Sequence, residues 1–179
     1  NFNSDNCAAG GFTLDYGPFG FCEAFEPFFQ PWTGGGHHFS FLNQPTAADK
    51  NFEMFCIAIK PLLQSDPDAL KKLEAVRGEF WNIMQSKLQV MWASKLGIET
   101  FDPTLFGNLI QLMAKTSVDF TMLFRELSEL PTEFSSLEPC FYAQASEEEH
   151  EKWLQWFQAW RALVTASFDS DDLKAESLR

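Results

Sequence analysis

The spacing of apolar residues changes character at Thr46. Before this point glycine and aromatic residues follow one another without a sustained period of 3.6 residues, and the stretch holds seven of the ten glycines. The apolar run FTL at 12–14 follows a Gly-Gly pair, which predicts a brief strand that ends at Asp15. We therefore expect residues 1–45 to form short strands and loops.

Helical spacing dominates the chain from Thr46 onward. Between positions 52 and 63 apolar residues recur at i, i+3, i+4 and i+7, and Pro61 is expected to kink or end that helix. A longer segment over 66–97 keeps most of its apolar residues on one side, and Gly97 is a natural stop.

Capping signals mark the N-termini of helices at three places. Asp-Pro pairs at 66–67 and 102–103 combine a capping residue with proline in the first turn. Ser146 and Glu149 have the spacing of a capping box. With a further helix over 117–127, these signals predict a mainly α fold, in which a helical bundle follows the loops of 1–45.

An aromatic stripe lies on the last predicted helix. Its members recur at helical spacing: Trp153, Trp156, Phe157 and Trp160. Such a stripe is typical of a surface that faces the core or a neighbouring lobe, and is far less often a cofactor site.

Composition and charge narrow the classes of function. The chain has 179 residues, 45% of them hydrophobic, enough for one ordinary domain with a packed core. Its net charge is −12, with 13 basic against 25 acidic residues. Because nucleic-acid binding needs a basic surface, we expect no nucleic-acid partner. We also expect no membrane association, since no stretch approaches the roughly 18 apolar residues of a membrane-spanning helix.

Two features, the terminal sequences and the use of cysteine, indicate that this chain is a piece of a longer intracellular protein. There is no initiator Met and no leader, and the first residue falls within what reads as structured polypeptide. The four cysteines lack zinc-site spacing and are sparse for a disulfide scaffold, so we expect reduced thiols packed as small apolar residues.

Asp5, Asn6 and Asp15 are the candidates for chemistry. Their side-chain oxygens are hard ligands, and Mg²⁺ takes few of these from protein while phosphates and water complete its shell. Protein kinases hold such metals with a catalytic-loop Asn and a later Asp-aromatic-Gly triplet. Asn6 and the triplet at 15–17 stand in that order. Taken alone, the pattern equally fits two loop caps and a glycine turn.

A resemblance to a known family decides between these interpretations. In most kinases the catalytic Asp lies five residues before the Asn, whereas here Asp5 abuts Asn6. The segments NSDN at 3–6 and DYGPFGF at 15–21 resemble the selenoprotein O family of kinase-fold proteins, long classed as pseudokinases. Further similar segments are FEPFF at 25–29, FSFLNQP at 39–45, KLGI at 95–98 and LMAKTSVDFTMLFREL at 112–127.

The resemblance implies a protein adenylyltransferase. In this family AMP moves from ATP to a Ser, Thr or Tyr hydroxyl of a protein, pyrophosphate leaves, and the nucleotide is flipped relative to a kinase. Asp5 then takes the position of the catalytic base, and Asn6 and Asp15 take those of the Mg²⁺ ligands, with Asp15 also close to the nucleotide phosphates. The implied cofactor is Mg²⁺, the substrates are ATP and hydroxyl-bearing proteins, and the compartment is cytoplasmic in bacteria and mitochondrial in eukaryotes.

The resemblance also implies a division of the chain into two regions, and the sequence departs from the family at one loop. Residues 1–45 correspond to the catalytic and metal-binding loops of a kinase-like fold, and 46–179 to its helical C-lobe, without the N-lobe. The family's redox-active Cys or selenocysteine is expected beyond Arg179. At 30–39 the sequence QPWTGGGHHF differs from the family, so that His37 and His38 replace a Gly-Arg pair and leave the role of that Arg in question. We expect the two histidines to be solvated loop residues rather than metal ligands.

Two alternatives stay open at the level of sequence. One is a catalytically inactive pseudokinase fragment that acts as a helical protein-interaction module, supported by the altered 30–39 loop and the aromatic helix. The other is an ordinary phosphotransferase, which the adjacency of Asp5 and Asn6 disfavours. Retention of all three polar residues favours the enzyme.

We predict that the 179-residue chain by itself binds ATP weakly or not at all, even with Mg²⁺, and is inactive. Its metal ligands hold an ion well only when anchored phosphates complete the shell, and the family's phosphate-anchoring lysine lies upstream. Isothermal calorimetry with MgATP tests this, and low-micromolar affinity would contradict it.

Overall fold

The computed structural model describes residues 2–15, 22–31 and 37–167. It is mainly helical, as predicted. The α-helices of the described chain are α1 (Gln44–Ile59), α2 (Pro67–Gly78), α3 (Phe80–Leu96), α4 (Pro103–Lys115), α5 (Phe120–Ser128) and α6 (Glu147–Ser167). Short 3₁₀ turns occur at Ser4–Asn6, Phe41–Asn43, Lys60–Leu63 and Phe134–Cys140. Tyr16, Gly17 and the rest of the motif after Asp15 lie outside the described residues.

The N-terminal segment is built from turns. The strand expected at 12–14 is a single antiparallel bridge between Cys7 and Thr13. A tight turn precedes it, closed by the Gly11 N–H, which donates to the Ala8 carbonyl at 3.0 Å. Gly11 has a φ of 86°, a conformation that glycine adopts without strain. The preceding chain winds into the Ser4–Asn6 turn, so the ladder cannot extend in that direction.

The predicted helix N-termini are confirmed. The side chains of Asp66 and Asp102 each accept from the backbone N–H groups two and three residues further on, at 2.8–3.1 Å. The prolines that follow occupy the first helical position, where a missing N–H costs nothing. Before α6, the Ser146 N–H donates to Glu149 at 2.9 Å and the Glu149 N–H donates back to Ser146 at 3.3 Å, which forms the capping box.

The helix predicted over 66–97 is interrupted. α2 ends at Gly78 and α3 begins at Phe80, while the Glu79 N–H still donates to Ala75 at 3.2 Å. Glycine in a helix interior costs about 1 kcal/mol relative to alanine, which makes Gly78 the weak point of the segment. Proline acts as expected at the end of α1, since the helix gives way to a 3₁₀ turn around Pro61.

The chain divides into two compact units. One comprises Asn1–Phe21 with Glu26–Ser86, and the other comprises Cys22–Phe25 with Lys87–Arg179. The first unit contains Asp5, Asn6 and Asp15. Within the described residues, no helix is long and apolar enough to cross a membrane.

The core of the second unit is organised by the aromatic stripe of α6. Its four side chains are 0–4% exposed, which confirms their prediction as core residues: Trp153, Trp156, Phe157 and Trp160. The three indole N–H groups donate to Thr116 Oγ1, Leu105 O and Leu96 O, at 3.0, 3.0 and 2.8 Å respectively. α6 therefore buries its apolar surface without leaving an indole donor unsatisfied. Cys140 is also buried in this unit, and burial raises the pKa of its thiol to about 11.

Asp119 joins the start of α5 to the segment after the last 3₁₀ turn. One of its oxygens accepts from the Met122 N–H at 2.8 Å and caps the helix. The other accepts from the Tyr142 hydroxyl at 2.8 Å. This hydrogen bond raises the pKa of Tyr142 to about 12, because ionisation would remove the donor and place a phenolate beside a carboxylate.

We predict that Asp119→Ser lowers the pKa of Tyr142 from about 12 toward its ordinary value near 10. Serine still caps α5 but is too short and uncharged to hold the phenol. Since the folded-state pKa lies above the unfolded one, the bond stabilises the fold below about pH 10, and that contribution is lost as the pH rises through about 12. NMR titration of ¹³C-labelled tyrosine up to about pH 11 measures the difference.

Tyr142→Phe assigns the signal, because Tyr16 is the other tyrosine in the sequence. A wild-type Tyr142 that titrates near 10, or an Asp119→Ser variant that titrates like the wild type, would contradict the prediction.

Candidate functional site

A single 3₁₀ turn, Ser4–Asn6, carries two of the three predicted site residues. Asn3 caps it: its side-chain oxygen accepts the N–H groups of Asp5 and Asn6 at 3.1 and 3.2 Å. Asparagine is among the best residues for this task. Asp5 is exposed, whereas Asn6 is 8% exposed. The turn thus offers one carboxylate to solvent and buries the neighbouring amide.

The backbone brings the approach to the third residue against this turn. The Leu14 N–H donates to the Asn6 carbonyl at 2.8 Å, and the Ala8 N–H donates to the Phe12 carbonyl at 2.9 Å. Asp15 follows Leu14 directly and is exposed. Asn6 and Asp15 therefore lie on neighbouring segments of one small hairpin, the arrangement that the predicted pair of metal ligands needs.

The side-chain oxygens of Asn6 and Asp15 are the kind of ligand that Mg²⁺ prefers. Among the described residues, no group of three or more His, Cys, Asp and Glu side chains is placed to enclose an ion. The predicted site is of another type, in which one amide and one carboxylate supply hard oxygens and phosphates and water supply the others. Asn6 and Asp15 fit Mg²⁺ carried by a nucleotide, and their metal-binding role stays a prediction.

Two side-chain amides of α1 hold the residues on either side of the Ser4–Asn6 turn, and sequence reasoning gave neither of them a role. Gln44 Oε1 accepts from the Phe2 N–H at 2.8 Å, and Asn51 Nδ2 donates to the Phe2 carbonyl at 2.7 Å. Asn51 Nδ2 also lies 3.4 Å from Cys7 Sγ. The available signal was their separation by seven residues, which places both on one face of a helix.

The motif FSFLNQP organises the loop that precedes α1. Asn43 Nδ2 donates to the carbonyls of His37 and His38 at 3.1 and 3.0 Å, and Gln44 Nε2 donates to those of Phe39 and Ser40 at 2.8 and 2.7 Å. Both histidine side chains are exposed, as expected of loop residues. The amides of this motif thus act on main-chain atoms.

Two cavities lie apart from the candidate site residues. Their volumes are about 600 and 460 Å³, and they are lined by residues of the second unit, one beside the Phe134–Cys140 turn and one along α4 and α6. Asp5, Asn6 and Asp15 line neither of them.

Comparison with known proteins gives a consistent set of matches. The profile of the family described as protein adenylyltransferase SelO matches residues 1–179. A protein nucleotidyltransferase YdiU of Aromatoleum aromaticum is 34% identical over 164 residues, which cover 85% of this chain and 31% of the relative. One of Flavobacterium johnsoniae is 30% identical over an alignment of 189 residues, covering 98% and 35% respectively. The chain thus spans about a third of the length of these curated relatives.

Proposed function

Because the chain belongs to the protein adenylyltransferase SelO family, we propose that the whole protein transfers AMP from ATP to Ser, Thr or Tyr hydroxyls of other proteins. Nucleotidyl transfer is the activity in the names of the family and of the relatives. The observation that carries the proposal to this chain is the Leu14–Asn6 hydrogen bond, which sets the Asp5-Asn6 turn beside the segment leading to Asp15.

The exposed carboxylate suits an acceptor that is itself a protein. Asp5 lies at the surface, where the side chain of a second molecule can reach it. In the proposed step Asp5 accepts the proton of the acceptor hydroxyl while that oxygen bonds to the α-phosphorus of ATP, and the bond to pyrophosphate breaks. The nucleotide must then present its α-phosphate to Asp5, which is the flipped orientation.

Asn6 and Asp15 would hold Mg²⁺ on the nucleotide phosphates. A bound ion would offset charge on the phosphates and on the departing pyrophosphate. Asn6, which is buried and lies in the capped turn, keeps its backbone fixed by the Asn3 cap. Asp15 contributes a negative charge as well as an oxygen, so the two ligands are unequal.

The burial of the aromatic stripe weakens the alternative of an inactive interaction module. That alternative relied in part on Trp153, Trp156, Phe157 and Trp160 as a contact surface. These side chains are 0–4% exposed and fill the core of the second unit. They offer no area to a partner, so the enzyme is the better proposal.

We predict that Asp15→Ala in the full-length protein abolishes AMP transfer, because alanine supplies neither the ligand nor the charge. Asn6→Ala should be severe but less so, since a neutral amide contributes ligation alone. Transfer of label from α-labelled ATP to protein measures both. Asp68→Ala, an exposed aspartate on α2, is the matched control and should retain wild-type transfer. Unchanged transfer in Asp15→Ala would remove the metal-site assignment.

We predict that Asp5→Ala lowers kcat by about 10²–10⁴-fold, the usual contribution of a general base, with a smaller change in the KM for ATP. Steady-state kinetics with α-labelled ATP give both constants. A parallel reaction with γ-labelled ATP decides the chemistry, because label that arrives from the γ position would mean phosphoryl transfer. That result would overturn the proposed reaction in favour of an ordinary phosphotransferase.

A further inference from the structure

The catalytic turn is too short to fix its own position. Ser4–Asn6 is a three-residue 3₁₀ turn, and such turns have poorer hydrogen-bond geometry than α-helices. Its cap, Asn3, is part of the same segment and cannot tie the turn to the rest of the unit. The Leu14 N–H bonds to the Asn6 carbonyl at one end of the turn, and the orientation of Asp5 and Asn6 depends further on what holds the residues on either side of them.

Residue 2, immediately before the cap, is held through its main chain by two side chains of α1. Its N–H donates to Gln44 Oε1 at 2.8 Å, and its carbonyl accepts from Asn51 Nδ2 at 2.7 Å. Both bonds are partly buried. Both polar groups of Phe2 are thus satisfied by one helix.

Asn51 also reaches the other end of the segment. Its Nδ2 carries two hydrogens and can donate to a second acceptor, and Cys7 Sγ lies 3.4 Å from the nitrogen. Cys7 follows Asn6 directly and forms the bridge to Thr13. One amide group therefore contacts both ends of the six-residue segment 2–7, within which both Asp5 and Asn6 lie.

We propose that Asn51 and Gln44 are positioning residues for the AMP-transfer reaction: together they clamp segment 2–7 so that Asp5 meets the acceptor hydroxyl and Asn6 meets the metal. The inference rests on the proposed function for its catalytic part only. Gln44 extends the clamp, because its Nε2 holds the carbonyls of Phe39 and Ser40 at 2.8 and 2.7 Å.

Asn51→Asp in the full-length protein is the test, since it keeps the shape of the side chain and removes both donors. We expect kcat for AMP transfer to fall roughly 10- to 100-fold, because a misplacement of about 1 Å costs on the order of 10²-fold. The Mg²⁺ concentration for half-maximal activity should rise, since Asn6 is displaced with the turn. Hydrogen–deuterium exchange, measured without nucleotide, should accelerate in peptides that cover segment 2–7.

Asn82→Asp is the matched control. Asn82 is an exposed amide of the same unit that donates to Glu79 at 3.0 Å, so its replacement should leave all three measurements unchanged. Gln44→Glu serves as the milder second variant. It keeps the acceptor for the Phe2 N–H and loses the donors to Phe39 and Ser40, and we expect a smaller loss of kcat than with Asn51→Asp.

Two results would overturn the proposal. One is wild-type exchange of segment 2–7 in Asn51→Asp. The other is lower activity with an unchanged Mg²⁺ requirement and faster exchange throughout the first unit, which would mean a general loss of stability. A wild-type protein that transferred no α-label would count against the proposed function alone, because exchange in segment 2–7 reports on the clamp without catalysis.

Discussion

Polar backbone groups outside helices and strands must find other partners, and in the first unit side-chain amides supply them. Asn3 accepts from the N–H groups of Asp5 and Asn6, and Gln44 and Asn51 satisfy the main-chain groups of Phe2. Gln44 also binds the loop that precedes α1. An amide suits this work because it is both a donor and an acceptor and carries no charge that burial would penalise. Removing Gln44 would take partners from the Phe2 N–H and from the carbonyls of Phe39 and Ser40, and removing Asn51 would take one from the Phe2 carbonyl.

In the second unit, tryptophan side chains combine packing with hydrogen bonding. Tryptophan has a large apolar surface and one hydrogen-bond donor. Each of the three tryptophans on α6 buries its apolar surface, and its indole N–H donates to an oxygen of the same unit. Packing and hydrogen bonding are thus provided by the same side chains. This explains why a stripe with indole groups at successive turns can be a core and not a binding surface.

The helical part of the chain could largely be predicted from sequence, because its signals are local. Asp66 and Asp102 cap the helices they precede, and the α6 stripe is periodic over one helix. The interruption at Gly78 was missed because apolar spacing continued through it. The clamp was missed for a different reason: Asn51 and Gln44 bind the main chain of Phe2, 49 and 42 residues away, and a main-chain partner leaves no signature in its own side chain. The positions of Asp5, Asn6 and Asp15 were predicted from a motif, and their common hairpin follows from hydrogen bonds that no residue pattern specifies.

Asn43 and Gln44 hold residues 37–40 through main-chain atoms, independently of the side chains there. Their four hydrogen bonds end on the carbonyl oxygens of residues 37–40, and every amino acid carries such an oxygen. Mutation can therefore exchange the histidines at 37 and 38 for other residues and still leave the attachment intact. Side chains at 37 and 38 can therefore differ between relatives without loss of these four bonds, so the two histidines there are no sign of a lost fold.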